Sequence, residues 1–165
     1  MAKNWLITEK VIASLEIVLG CAFLYGFYTT ITTIINSALE SADTKDISII
    51  QLFRHLHFGL VFGLVGVVAG LFLLWGKRIG WIMSLINATV LVFDFLITTI
   101  FDKYSTPRKD YLFTSIFICL FTIIFCVLVY KPFQEKYRSL KSAIIIVSII
   151  LILFTVDLFL NNVRF

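Results

Sequence analysis

Charge is scarce in this chain: of 165 residues, 15% are Asp, Glu, Lys or Arg, against 60% hydrophobic. That scarcity excludes an ordinary soluble domain, because at this length too much side-chain surface stays exposed for water to tolerate so apolar a composition. The mean hydropathy of +1.00 makes lipid the expected solvent. Proline is nearly absent, and Pro107 and Pro132 both fall outside the apolar runs. The proline-interrupted helices that transport folds often place at a substrate site are therefore missing. Cysteine is limited to Cys21, Cys119 and Cys126, with no C-x-x-C. This excludes a dithiol redox site and leaves the three thiols expected in the core as small hydrophobes. No nucleophile–base set, phosphate-binding loop or metalloprotease motif occurs. Neither enzymatic activity, a cofactor nor a metal is expected. The net charge of +4 comes without a basic run or basic–aromatic interleaving, so nucleic acid is not an expected partner.

What is present is apolar length. Five segments, Val11–Ile35, Phe58–Trp75, Ile79–Phe101, Tyr111–Tyr130 and Ala143–Leu160, each approach or exceed the length that crosses about 30 Å of hydrocarbon. Their runs are too continuous for the alternation of a membrane barrel, and backbone groups in lipid must be satisfied within the segment. The expected fold is all-α, a polytopic transmembrane bundle of about five spanning helices forming one integral membrane domain over residues 1–165. Lys3 and Lys10 ahead of the first run imitate a signal peptide. However, Glu16 interrupts the run and apolar sequence continues past Cys21, so a retained helix is expected.

The connectors add topology. Gly76-Lys77-Arg78 is so short that the second and third spans should form a tight antiparallel hairpin, flanked at headgroup depth by Trp75 and Trp81. Ala38–His57 opens acidic and closes with Ile47–Arg54, which could lie in the interface as a short amphipathic helix. With the N-terminus inside, Lys3, Lys10, Lys77, Arg78, Lys131, Lys136, Arg138 and Lys141 lie on the inner side. Lys45, Arg54, Lys103, Arg108, Lys109 and Arg164 lie on the outer. That excess favours a cytoplasmic N-terminus in a plasma (inner) membrane.

Polar residues inside the spans are the candidates for function. In the third, Gly80, Ser84, Asn87, Leu91, Asp94, Thr98 and Asp102 share one face at about 100° per residue. Such a stripe must look into the bundle, a wet cavity or a partner. Asp94 is the candidate proton- or ion-binding carboxylate, with hydrogen-bonded packing as the bland alternative. Glu16, in the first span, and Asp157, in the fifth, read more simply as interfacial acids. Even so, Glu9, Ala13, Glu16 and Gly20 share a face that needs a protein neighbour, while Gly26, Thr29, Thr33 and Asn36 form a separate set. In the second span, Gly59, Gly63, Gly66 and Gly70 make a flat packing strip, suited to seating the third span or a second copy. His55 and His57 form an H-x-H pair without a fixed third ligand, so water or headgroup contact is expected.

The leading expectation is a non-enzymatic integral membrane subunit of a homo- or hetero-oligomeric assembly, embedded in lipid and bound to itself or to another membrane protein. The rival is a small proton- or ion-coupled transporter or channel using the polar face around Asp94.

Overall fold

The computed structural model describes the backbone of residues 3–40, 49–102, 111–137 and 140–162, and side chains within 5–37, 57–97, 115–137 and 141–157. The described chain is helical throughout, with six helices: α1 (Lys3–Glu40), α2 (Ile49–Leu74), α3 (Arg78–Asp102), α4 (Tyr111–Val129), α5 (Lys131–Tyr137) and α6 (Leu140–Asn162). The five apolar segments of the sequence fall on α1, α2, α3, α4 and α6, with only their last residues Trp75 and Tyr130 beyond the ends of α2 and α4. Three helices are long and apolar enough to cross a membrane, over Trp5–Ser37, His57–Leu74 and Arg78–Ile97. Ser115–Val129 and Lys131–Tyr137, bent by 57°, meet the length and apolarity of a span only when taken together, as a broken span or a re-entrant loop. Ile49–Arg54 is the beginning of α2 rather than a separate interfacial helix, since no break divides it from the apolar run. The acidic first half of that connector, together with His55, Thr98, Asp102, Asn161 and Arg164, lies outside the described side chains.

The two sharpest turns have local causes. Gly76, at φ 64°, closes α2. Its N–H donates to Leu73 O at 2.9 Å, and that of Lys77 to Phe72 O at 2.9 Å. This is the Schellman pattern, which favours glycine because a Cβ is strained there. Between α4 and α5 the cause is Pro132. Without an N–H it cannot bond the carbonyl four residues back, that of Leu128. Trp81 Nε1 donates to Leu128 O at 2.9 Å instead. Trp81 is fully buried within the bundle, whereas Trp75 is exposed.

Helix α2 packs along α1 and against α3, and α3 meets α4 and α6. The glycine strip of α2 seats α1, not α3, because its flat face turns toward the small-residue face of the first helix. A Cβ on Gly63 would lie 2.7 Å from Leu24 Cγ, and one on Gly70 2.6 Å from Ala13 O. Gly20 returns the contact, its Cβ position being 2.7 Å from Gly63 O. Helix α3 reaches α2 through its own Gly80, where a Cβ would fall 2.5 Å from Phe72 C. These approaches gain van der Waals contact where lipid offers no hydrophobic drive. Outward faces carry Val18, Ile123, Ile145 and Leu153, all exposed. Cys21, Cys119 and Cys126 are exposed as well. The core placement expected for the thiols is thus incorrect: each falls on an outward face of its helix.

Candidate functional site

One face of α1 carries acids into the interior. Glu9, Ala13, Glu16 and Gly20 are all buried, as their shared face implied. Glu16 lies 2% exposed, which overturns its interfacial reading. The Ser84 hydroxyl of α3 donates to Glu16 Oε2 at 2.7 Å, and among the described residues no cation pairs with that carboxyl. One turn along α3 from Ser84, Asn87 is 4% exposed, and its Oδ1 is buried without a hydrogen-bond partner. Gly66 of α2 completes the junction. A Cβ there would be 3.2 Å from Asn87 Nδ2 and 3.3 Å from the Glu16 backbone oxygen. The bare glycine lets the α1 backbone and the α3 carboxamide approach the same point.

The stripe on α3 therefore faces the bundle over Gly80, Ser84, Asn87 and Leu91, all buried. Asp94 departs from it in environment. It is only partly buried and stands two turns, roughly 10 Å, beyond Asn87 along the helix. The structure bonds Ser84 to Glu16, sets Asn87 one turn along α3 beside Gly66, and leaves Asp94 apart. Of the other strip residues, Gly59 makes only ordinary contact, 3.8 Å from Phe27 Cβ.

A second polar group closes the end of the bundle where α1 begins. Lys136 Nζ donates to Glu9 Oε1 at 2.6 Å and pairs with Oε2, while the Tyr137 hydroxyl donates to Oε1. Burial, the hydrogen bond and the Glu9 charge all push the Tyr137 phenol upward from its ordinary pKa. Tyr137 stacks on Trp81 with ring centroids 5.5 Å apart. Trp5 lies edge-on to Phe133 at 6.0 Å. This group was not legible as a site, because Lys136 reads as one more loop cation. The available signal was Pro132, which orphans a carbonyl and demands a donor from elsewhere.

At the other end, His57 Nε2 and Asp157 Oδ2 meet at 3.2 Å, joining α2 to α6. Neither is restricted to water or headgroup contact, as the sequence suggested. Beneath them, between α2, α3 and α6, lies a cavity of about 310 Å³ bordered by Phe58, Phe62, Ile86, Phe154 and, as its polar members, His57 and Asn87. The rest of its lining is apolar. No three His, Cys, Asp or Glu side chains cluster to hold a transition metal among the described residues.

No family model, curated protein or solved structure matches this chain. The Glu16 junction brings a carboxyl and a hydroxyl already engaged with it, with an unpartnered amide oxygen one turn further along α3.

Proposed function

We propose that the chain is a five-crossing membrane protein, with its N-terminus inside, that works as a small proton- or ion-coupled transporter or channel. The working carboxyl in this reading is Glu16 rather than Asp94. The observation that carries it is the burial of Glu16 in a candidate membrane span with only a hydroxyl to meet it. Ionisable groups at membrane depth are expensive and tend to mark proton or ion pathways. Pure packing would be served as well by an uncharged residue, whereas ion coupling needs one that can change charge. The crossing number is supported by the five apolar runs of the sequence. Three of these lie in helices long and apolar enough to cross a membrane, a fourth if the bent pair is one span. The orientation is supported by Lys10, Lys77, Arg78, Lys131, Lys136 and Lys141, which belong to the elements meeting at the Glu9 end.

The test is flux. Purified protein in liposomes should dissipate an imposed pH or sodium gradient, read with a trapped indicator dye. Glu16→Gln keeps the shape and can still accept from Ser84, so it should fold normally and lose the flux. Asp94→Asn should leave at least half of it. A parent protein that passes neither protons nor alkali cations, or a fully active Glu16→Gln, overturns the proposal.

A membrane-subunit role is favoured by a different observation. The later half of α1 is open: Tyr25 and Tyr28 are exposed, and a Cβ on Gly26 would meet nothing within 4 Å. A stoichiometric second protein in the detergent-solubilised complex, with no flux from the purified chain, would favour that role.

A further inference from the structure

The cavity between α2, α3 and α6 sets aromatic and aliphatic carbon around one buried amide. Phe154 of α6 meets Phe58 and Phe62 of α2 with ring centroids 4.9 and 5.9 Å away. The two helices touch there through rings rather than by close backbone packing, and a space of about 310 Å³ is left beside them. Asn87 of α3 lines that space and is 4% exposed. Its Nδ2 is the atom turned toward Gly66, while Oδ1 is buried with no hydrogen-bond partner. A buried acceptor left unmet is costly. We infer that the cavity is a binding site for a neutral, membrane-borne alcohol, an apolar body whose single hydroxyl donates to Asn87 Oδ1.

Chemistry narrows the occupant. Plain hydrocarbon would fill the volume and leave Oδ1 unmet. A charged head beside Asn87 would stand at membrane depth with no opposite charge close by. Water needs at least two polar partners, and His57, the other polar residue of the lining, is out of reach. It already meets Asp157 at 3.2 Å, and it precedes Gly66 on α2 by nine residues, about 13 Å along the helix. An amide ligand would bring a second polar group in need of its own partner. A hydroxyl fits, because one donor meets one acceptor. The Asn87 carboxamide turns about a broad terminal torsion, which lets Oδ1 swing to meet it. Entry is sideways from lipid, past Val61, which lines the cavity and is exposed on α2. Glu16 takes no part, so this site stands or falls separately from the flux reading.

Photolabelling of the full chain in liposomes tests this. The probe is octanol carrying a photoactivatable diazirine, and the labelled peptides are read by mass spectrometry. It should label the cavity saturably at Val61, Val65 or Ile150, with excess decanol competing and decane not. Asn87→Leu should weaken that labelling about tenfold. The change removes an unmet acceptor, so its Tm should match or exceed the parent's, which separates lost binding from lost folding. Val65→Phe should abolish the saturable labelling by filling the space. Labelling that decane displaces as well as decanol, or that survives Asn87→Leu, would overturn recognition of the hydroxyl and with it the proposal. A parent protein with no saturable labelling at those three residues would overturn the site itself.

Discussion

Tyr137 lies against Trp81 and gives its hydroxyl to Glu9, so a single phenol ties α5 to α1 and α3. Tyr137→Phe keeps the ring stacking and deletes one hydrogen bond to a charged group. The expected loss is about 1.5–3 kcal/mol, measured by chemical denaturation in detergent. The pH dependence has a definite sign. The folded phenol holds its proton to higher pH than the unfolded one, which releases it near pH 10. Its contribution is therefore complete below about pH 10 and declines above that as the unfolded state is favoured. Tyr137→Phe should flatten this alkaline decline, and an unchanged slope would show that the phenol does not govern it. At this scale the sequence was partly readable. Helical periodicity put Ser84 and Asn87 on an inward face, and it grouped Glu9 with Glu16. Which acid would meet them was not readable, because periodicity fixes a face within a helix but not the rotation of its neighbour. Asp94 drew attention by sharing the helix of Ser84, whereas Glu16 became the partner by packing.

Among elements, the α1–α2 seam depends on missing side chains. Gly63→Leu or Gly70→Leu should force the helices apart, costing about 1–3 kcal/mol as overpacking usually does. The Glu16 junction should be disturbed as well, since Gly66 lies in the same seam. Gly26→Leu, placed where a Cβ meets nothing within 4 Å, should leave Tm within about 1 °C of the parent. Equal Tm losses at Gly26 and Gly63 would show that helix propensity rather than contact sets the effect. The strip was visible in the sequence as G-x-x-x-G spacing. Its partner was not, because a short connector makes the next helix the obvious neighbour. The reciprocal glycine on α1, Gly20, was the discriminating residue. Helix α5 was hidden for another reason: its seven residues are too polar to register as a core element.

For the whole molecule, the order of contacts is α1 on α2, α2 on α3, and α3 on α4 and α6, which makes α3 the hub. That arrangement accounts for why Ser84 and Asn87 of its stripe are buried. The proposed topology predicts accessibility. In a variant with its three cysteines replaced, a cysteine at Glu135 should resist a membrane-impermeant thiol reagent in intact cells, and one at Lys103 should react. The opposite pattern would reverse the orientation. Helix class and the positions of the apolar helices were legible because composition and run length decide them. The bend after α4 and the tertiary partners of the acids depend on docking, which one-dimensional pattern does not encode.

Helix α1 is too long for one bilayer. Its apolar stretch, Trp5–Ser37, has 33 residues, or roughly 50 Å at 1.5 Å per residue, against about 30 Å of hydrocarbon. A tilt large enough to hide the difference would exceed the range helices adopt. About 30 Å counted from Trp5 reaches Tyr25, and Tyr28 follows one turn later, aromatic residues of the kind suited to a headgroup interface. Beyond them Thr29, Thr32 and Thr33 fold their hydroxyls onto carbonyls of their own helix. That segment can stand among headgroups in a thin membrane or sink into a thicker one without unfolding. Hydrophobic mismatch would then be absorbed at one end of one helix, and the Glu16 junction, well before that end, would keep its depth.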